Sequence, residues 1–160
     1  DKNVAYIANV GDSRAYAIRN SEIKQITKDH SVVEEMVACG SITKEEARNH
    51  PQRNVITRAM GTDPYTEADI FEYNYMAGDK LLICSDGLSS MVEDDEILSI
   101  VSQGKNAEET VMALIDDVCL REFSFYRPVE ERLEELISMA NEKGGYDNIT
   151  VIYAEFIQEG

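Results

Sequence analysis

The sequence predicts an α+β domain, on three observations. Apolar residues alternate with a period of two through the opening of the chain, recur at helical spacing through its second half, and alternate again at its close. Strands therefore come first, helices cluster later and one strand ends the chain, which is not the βαβ alternation of a parallel sheet. At 160 residues, with 43% hydrophobic and 29% charged, the chain suits one globular domain.

Val4 to Val10 reads as a first strand, Ser13 to Arg19 as a second and Glu22 to Thr27 as a third. Asn20-Ser21 is the hairpin turn between the last two, and the three together are expected to form an antiparallel meander. Ser31 and Glu34 stand at capping-box spacing before Val33, Met36 and Val37, with Gly40 as a stop. Thr43 and Glu46 repeat the box for a shorter helix ending near Asn49. Val55 to Met60 is expected to be extended, and Ile70 to Tyr75 alternates as a strand.

Ala77-Gly78-Asp79 is a turn leading into Lys80 to Cys84, a short apolar run expected to be buried. Glu93 to Asp95 opens one helix, and Asn106 with Glu109 opens another carrying Val111, Leu114, Ile115 and Val118 on one face. Pro128 suits the first turn of a further helix that Gly144-Gly145 ends. Ile149 to Ile157 is the closing strand.

The formal charge of −16 comes from 31 acidic and 15 basic residues. It disfavours nucleic acid and anionic membrane surfaces as partners and attracts divalent cations. No apolar stretch approaches the ~20 residues of a membrane span. Cys39, Cys84 and Cys119 are odd in number and widely spaced, without a CxxC, which argues against a disulfide framework and a zinc site and fits a reducing cytoplasm.

Three aspartates stand where a strand meets a loop, each near glycine: Asp12 after Gly11, Asp86 before Gly87, and Asp147 after Gly144-Gly145. Singly, each pattern is what an ordinary turn shows. Together, if they converge, they make an all-oxygen site of the kind Mg²⁺ and Mn²⁺ prefer. Arg14 and Arg58 have the fork geometry for a phosphoryl group, although pairing with carboxylates explains them better. His30, in an Asp-His-Ser loop, suits acid–base work or, better, a loop-fixing hydrogen bond.

Five segments occur in order: Val10-Gly11-Asp12-Ser13-Arg14-Ala15-Tyr16; Thr27-Lys28-Asp29-His30-Ser31; Asn54-Val55-Ile56-Thr57-Arg58-Ala59-Met60-Gly61; Leu81-Leu82-Ile83-Cys84-Ser85-Asp86-Gly87-Leu88; and Gly144-Gly145-Tyr146-Asp147-Asn148-Ile149-Thr150. This order resembles the C-terminal part of the catalytic domain in metal-dependent serine/threonine phosphatases of the bacterial type 2C family. The resemblance implies a four-layer α-β-β-α sandwich of two antiparallel sheets flanked by helices. It also implies hydrolysis of phosphoserine and phosphothreonine by a metal-activated water, with two to three Mn²⁺ or Mg²⁺ ions in a complete domain.

On that resemblance Asp86 and Asp147 are ligands of the core metal site. Asp12 joins Asp86 at a weaker third ion, Gly87 supports a turn beside Asp86, and Asn148 orients the loop around Asp147. Arg14, His30 and Arg58 support substrate or structure. The segment from about Ser31 to Asn54 resembles the family's flap next to the active site, which influences substrate access. Phosphoproteins are the implied substrates, with a cognate serine/threonine kinase as a further partner.

The 160 residues depart from the family in two places. The family's N-terminal part, with a phosphate-gripping Arg and an Asp-Gly-x-Gly-Gly segment whose Asp bridges both metals, has no counterpart here. The sandwich is thus expected to be incomplete, inactive alone, and prone to dimerise, swap elements or require its other half. The competing reading is a catalytically dead phosphatase-like module that binds or regulates a partner. Residues 119–138 add a helical insertion headed by Pro128, suited to covering surface or docking a partner. An EF-hand and a haloacid-type phosphatase are both excluded by the absence of their Asp-x-Asp motifs.

Overall fold

A computed structural model describes residues 3–62, 65–104, 106–107, 109–114 and 151–155. Among them are strands β1 (Val4–Asn9), β2 (Arg14–Arg19) and β3 (Glu22–Gln25), and helices α1 (Val32–Ala38) and α2 (Lys44–Arg48). Strands β4 (Asp69–Asn74) and β5 (Lys80–Cys84) follow, then helices α3 (Asp86–Ser89) and α4 (Asp94–Gln103), and strand β6 (Val151–Glu155). The backbone is also helical up to residue 114, where Asn106 Oδ1 accepts the Glu109 amide at 2.8 Å as the sequence anticipates. The predicted helix at Pro128, the 119–138 insertion, Cys119, Asp147 and Asn148 lie outside the described residues.

The strands form two antiparallel sheets, one of order β1-β4 and one of order β3-β2-β5-β6. The opening meander is therefore not what forms. β2 and β3 make the expected hairpin, with Asn20 and Ser21 both at positive φ as a tight two-residue turn requires. β1 instead pairs with β4, from Val4↔Asn74 to Asn9↔Asp69. The cause is local: Gly11 sits at φ +108°, which a side-chain-bearing residue rarely adopts, and turns the chain out of one sheet into the other.

β3 is shorter than its alternation suggests because a side chain takes over the ladder. Ile26 N–H still donates to Ala15 O at 2.7 Å, but Ala15 N–H donates to the Thr27 hydroxyl at 3.0 Å. Val55 to Met60 is not a strand. A single bridge, Ser31↔Ile56, is its only β pairing among the described residues.

The core lies on one face of the larger sheet. Tyr16, Ile18, Leu82 and Cys84 share that face through the β2–β5 register and meet Leu88, Val92, Ile97, Val101 and Leu114 from the helices. Tyr16, Leu82, Leu88 and Ile97 are wholly buried, and each contributes about 1.5–3 kcal/mol of apolar burial. Burial pushes the Cys84 thiol up to about 12, so it is a packing group and not a nucleophile.

Two polar junctions tie the sheets together at opposite ends of β4. At its C-terminal end Asp79, 2% exposed, receives both edges of the Arg19 guanidinium, the Tyr73 hydroxyl at 2.8 Å and the Met76 amide at 2.7 Å. Arg19 also donates to Asn74 O at 2.8 Å and lies over the Tyr73 ring. At the N-terminal end Asp69 meets His30 and Arg58.

The Arg19 hydrogen bonds, opposed by burial and helped by the Met76 amide, hold the Asp79 carboxyl well below the usual carboxylate range. A depressed carboxyl contributes stability that is fully present above its unfolded value of ~3.9 and is lost as pH falls through the lower folded value. Asp79→Asn is therefore expected to destabilise the chain at pH 7 and to flatten the fall in stability below about pH 4. Urea denaturation from pH 7 to pH 2 reads both effects, and an unchanged acid limb would contradict the assignment.

Candidate active site

The β2–β5 register brings the first candidate residues together. Arg14 pairs with Cys84, so β2 begins where β5 ends. Asp12 lies two residues before Arg14 and Asp86 two residues after Cys84, and both therefore emerge at one end of the sheet. Both border a cavity of about 160 Å³. β6 starts at Val151, opposite Cys84, at that same end. Asp147, four residues earlier in the sequence, lies outside the described residues.

Asp12 is placed by its neighbour. Gly11 N–H donates to His30 Nδ1 at 3.0 Å, and Gly11 O accepts from the His30 amide at 2.9 Å and from Asn9 Nδ2 at 3.2 Å. An accepting Nδ1 puts the ring hydrogen on Nε2. That nitrogen lies 3.2 Å from Asp69 Oδ2 but is not aligned for a hydrogen bond, so the contact is electrostatic. Arg58 Nη1 holds the other Asp69 oxygen at 2.7 Å and donates to Glu67 O at 3.0 Å. Arg58, then His30, hold the Asp69 carboxyl below its ordinary range. His30 and Arg58 thus sit in the junction between the sheets.

Arg14 faces the cavity from within. Its Nε and Nη2 fork onto Asp29 at 3.0 and 2.7 Å, and Nη1 donates to the Tyr16 hydroxyl at 3.2 Å. Gln25 Nε2 adds a bond to Asp29 at 2.9 Å. The guanidinium is committed to Asp29, itself nearly buried, and this bidentate geometry fixes it in the lining of the cavity.

Asp86 opens α3, with Ser85 as N-cap. Gly87 does not form the turn that the sequence suggests. It is the second residue of that helix, buried and without positive φ, because the chain passes from β5 into a helical turn at once. Sequence reasoning missed both α3 and Asp94, the first residue of α4. Asp94 borders the same cavity, and its Oδ1 is buried with no hydrogen-bond partner among the described residues. Its strand-free context gave no signal, since an acidic residue in a helix's first turn is commonplace.

Residues 31–54 form the opposite wall. The base of this segment is closed: Val32 N–H donates to Val55 O at 2.9 Å and Thr57 N–H to His30 O at 2.8 Å. Ser31 caps α1 through the Glu34 amide, and Thr43 with Glu46 completes a capping box on α2. Gly40 supplies the positive φ that ends α1. Arg48 on α2 reaches Glu93 at the start of α4, 2.8 Å away.

Sequence comparison adds its own result. Residues 1–36 match the family profile described as Protein phosphatase 2C. The serine/threonine phosphatase stp of Listeria welshimeri is 38% identical over 154 residues, covering 96% of this chain and 52% of that protein. The crystal structure of the Mycobacterium tuberculosis serine/threonine phosphatase PstP/Ppp superposes with a TM-score of 0.78 at 34% identity, over 98% of this chain and 57% of the other.

This chain belongs to the protein phosphatase 2C family.

The PstP catalytic domain solved in complex with 2 manganese ions superposes with a TM-score of 0.74 at 32% identity, over 99% of this chain and 56% of the other. The phosphatase 2C relatives confirm the α+β class with two antiparallel sheets. The chain spans about half the length of the curated relatives it matches. No helix among the described residues is long and apolar enough to cross a membrane.

If His30 positions Asp12 through Gly11, then His30→Ala is expected to lower hydrogen-exchange protection of the Gly11 amide about ten-fold. His30→Asn, whose side-chain oxygen sits near the place of Nδ1, should restore most of it. NMR exchange rates of the Gly11 amide decide, and equal rates in all three proteins would exclude the role.

Proposed function

We propose that this chain supplies part of the metal centre and the substrate cleft of a metal-dependent protein serine/threonine phosphatase. One observation carries the reading: the β2–β5 register delivers Asp12 and Asp86 to the same cavity. The donor chemistry fits Mn²⁺ or Mg²⁺, because the nearby groups are carboxylates and one buried oxygen of Asp94 has no partner among the described residues. Among those residues no group of three or more candidate ligands stands together, and Asp147 is the further ligand that the family resemblance implies. Two manganese ions in the PstP catalytic domain support the same metal class.

Asp86 and Asp147 would hold the core site, and Asp12 with Asp86 would hold a weaker additional ion. Ions held there would supply an acidified water and neutralise charge on the phosphoryl group. The chain's own residues do the rest. The β2–β5 ladder keeps the carboxylates fixed. Asp29 holds Arg14 rigid, so its charge lines the cavity without moving. The 31–54 segment, closed at its base, acts as the flap that limits access to the cleft, and Asn148 orients the loop at Asp147. Phosphoserine and phosphothreonine proteins are the substrates, with a kinase acting on the same targets as partner.

The 160 residues contain no Asp-Gly-x-Gly-Gly segment to bridge the ions, so alone they are inactive. Tyr6 and Ile70, 67% and 61% exposed on one face of the β1–β4 sheet, support the reading that further chain or a second copy packs there. In millimolar Mn²⁺ the isolated chain is expected to leave p-nitrophenyl phosphate intact, and the chain joined to the N-terminal part its relatives possess is expected to hydrolyse it. Asp86→Asn in the joined protein should cost at least the roughly 10- to 100-fold seen on losing an outer-shell metal partner. A joined protein that folds yet stays inactive would leave a phosphatase-like binding module instead.

A further inference from the structure

The chain carries 31 acidic and 15 basic residues, yet the flap wall of the cavity is basic. Lys44, at the start of α2, and Arg53, beyond its end, line it together with Arg48. The cations around the cavity differ in their commitments. Arg14 is held by Asp29 and Arg48 by Glu93. Lys44 and Arg53 are exposed and make no ion pair or side-chain hydrogen bond among the described residues. Glu34 of α1 is the acidic residue on the same wall, which leaves the pair with a net positive charge.

In a molecule of −16, carboxylates to satisfy two cations are plentiful, and two cations left open beside the same cavity as Asp12 and Asp86 are placed for a ligand's charge. A phosphorylated segment bound with its phosphate toward the carboxylate wall presents its neighbouring side chains to the flap. Successive residues of an extended segment advance about 3.3–3.6 Å each, so a neighbouring side chain falls within reach of a lysine or arginine stem.

We propose that Lys44 and Arg53 form a subsite for an acidic side chain flanking the phosphoresidue. The chain thereby selects phosphorylated segments bearing aspartate or glutamate beside the phosphate. This rests on the phosphatase reading of the cavity. The acidic surface repels acidic peptides at long range, and the flap cations reverse that at the cleft, where discrimination between substrates is decided.

The test measures binding of fluorescent peptides, in Mn²⁺ and by anisotropy, to this chain joined to the N-terminal part its relatives possess. The peptides carry a non-hydrolysable phosphonate analogue of phosphoserine, or serine, each flanked by alanine, aspartate or lysine. Aspartate flanks are expected to tighten binding of the phosphonate peptide about five-fold, the scale of one to two solvent-exposed ion pairs. Lys44→Ala with Arg53→Ala should remove that preference and leave the alanine-flanked peptide unchanged. Lys44→Glu with Arg53→Glu should turn the preference toward lysine flanks. Both substitutions lie at exposed positions, and circular dichroism checks the fold.

Equal affinity for aspartate and alanine flanks, or a preference that survives the double variants, overturns the subsite. If the phosphonate adds affinity but the flanks do not, the phosphatase reading stands and only the subsite falls. If the phosphonate adds nothing over serine, or no peptide binds, both fall together.

Discussion

The antiparallel pairing of β2 on β5 is the constraint on which the rest depends. It sets Arg14 opposite Cys84, and every consequence at the cavity follows from that one register. A shift of one residue would turn Tyr16, Ile18, Leu82 and Cys84 from the core face and strand the apolar surface of α3 and α4. The same packing that buries these side chains therefore fixes Asp12 and Asp86 at one sheet end. Core and candidate site are two consequences of one register.

Polar junctions then convert two separate sheets into one frame. Asp79 gathers Arg19, Tyr73 and the Met76 amide at one end of β4, and Asp69 gathers His30 and Arg58 at the other. The Asp69 junction adds little as a simple ion pair, since partly exposed pairs contribute about 0–1 kcal/mol, whereas the Asp79 carboxylate is buried. Their value is geometric. His30 carries three backbone links as well, two to Gly11 and one to Thr57, so the Asp12 turn and the base of the flap are held by one residue. One residue therefore links the base of the 31–54 segment to the turn that carries Asp12.

Much of this was legible in the sequence, for reasons that can be named. Capping chemistry is local, so Thr43 with Glu46 and Asn106 with Glu109 announced their helices. The Asn20-Ser21 turn announced the β2–β3 hairpin. Sheet membership was not legible: β1 alternates like its neighbours, and the positive φ of Gly11, where the chain leaves β1, has no mark in the alternation. Asp12 and Asp86 stood out because each ends a strand beside a glycine, although Gly87 is helical and not a turn residue. Asp94 did not stand out, because its proximity to them exists only once α3 folds the chain back. Nothing in the sequence marked Lys44 and Arg53, because their nearness to the cavity exists only in the folded chain.

Whether Asp12 and Asp86 bind a divalent cation in common is tested most directly by substoichiometric Mn²⁺ added to ¹⁵N-labelled chain. Paramagnetic broadening should appear first at the amides of Gly11 to Ser13 and Ser85 to Leu88, and should move away from them in Asp86→Asn. Broadening spread over the many surface carboxylates from the first addition, unchanged by that substitution, would contradict a metal site at this end of the sheet.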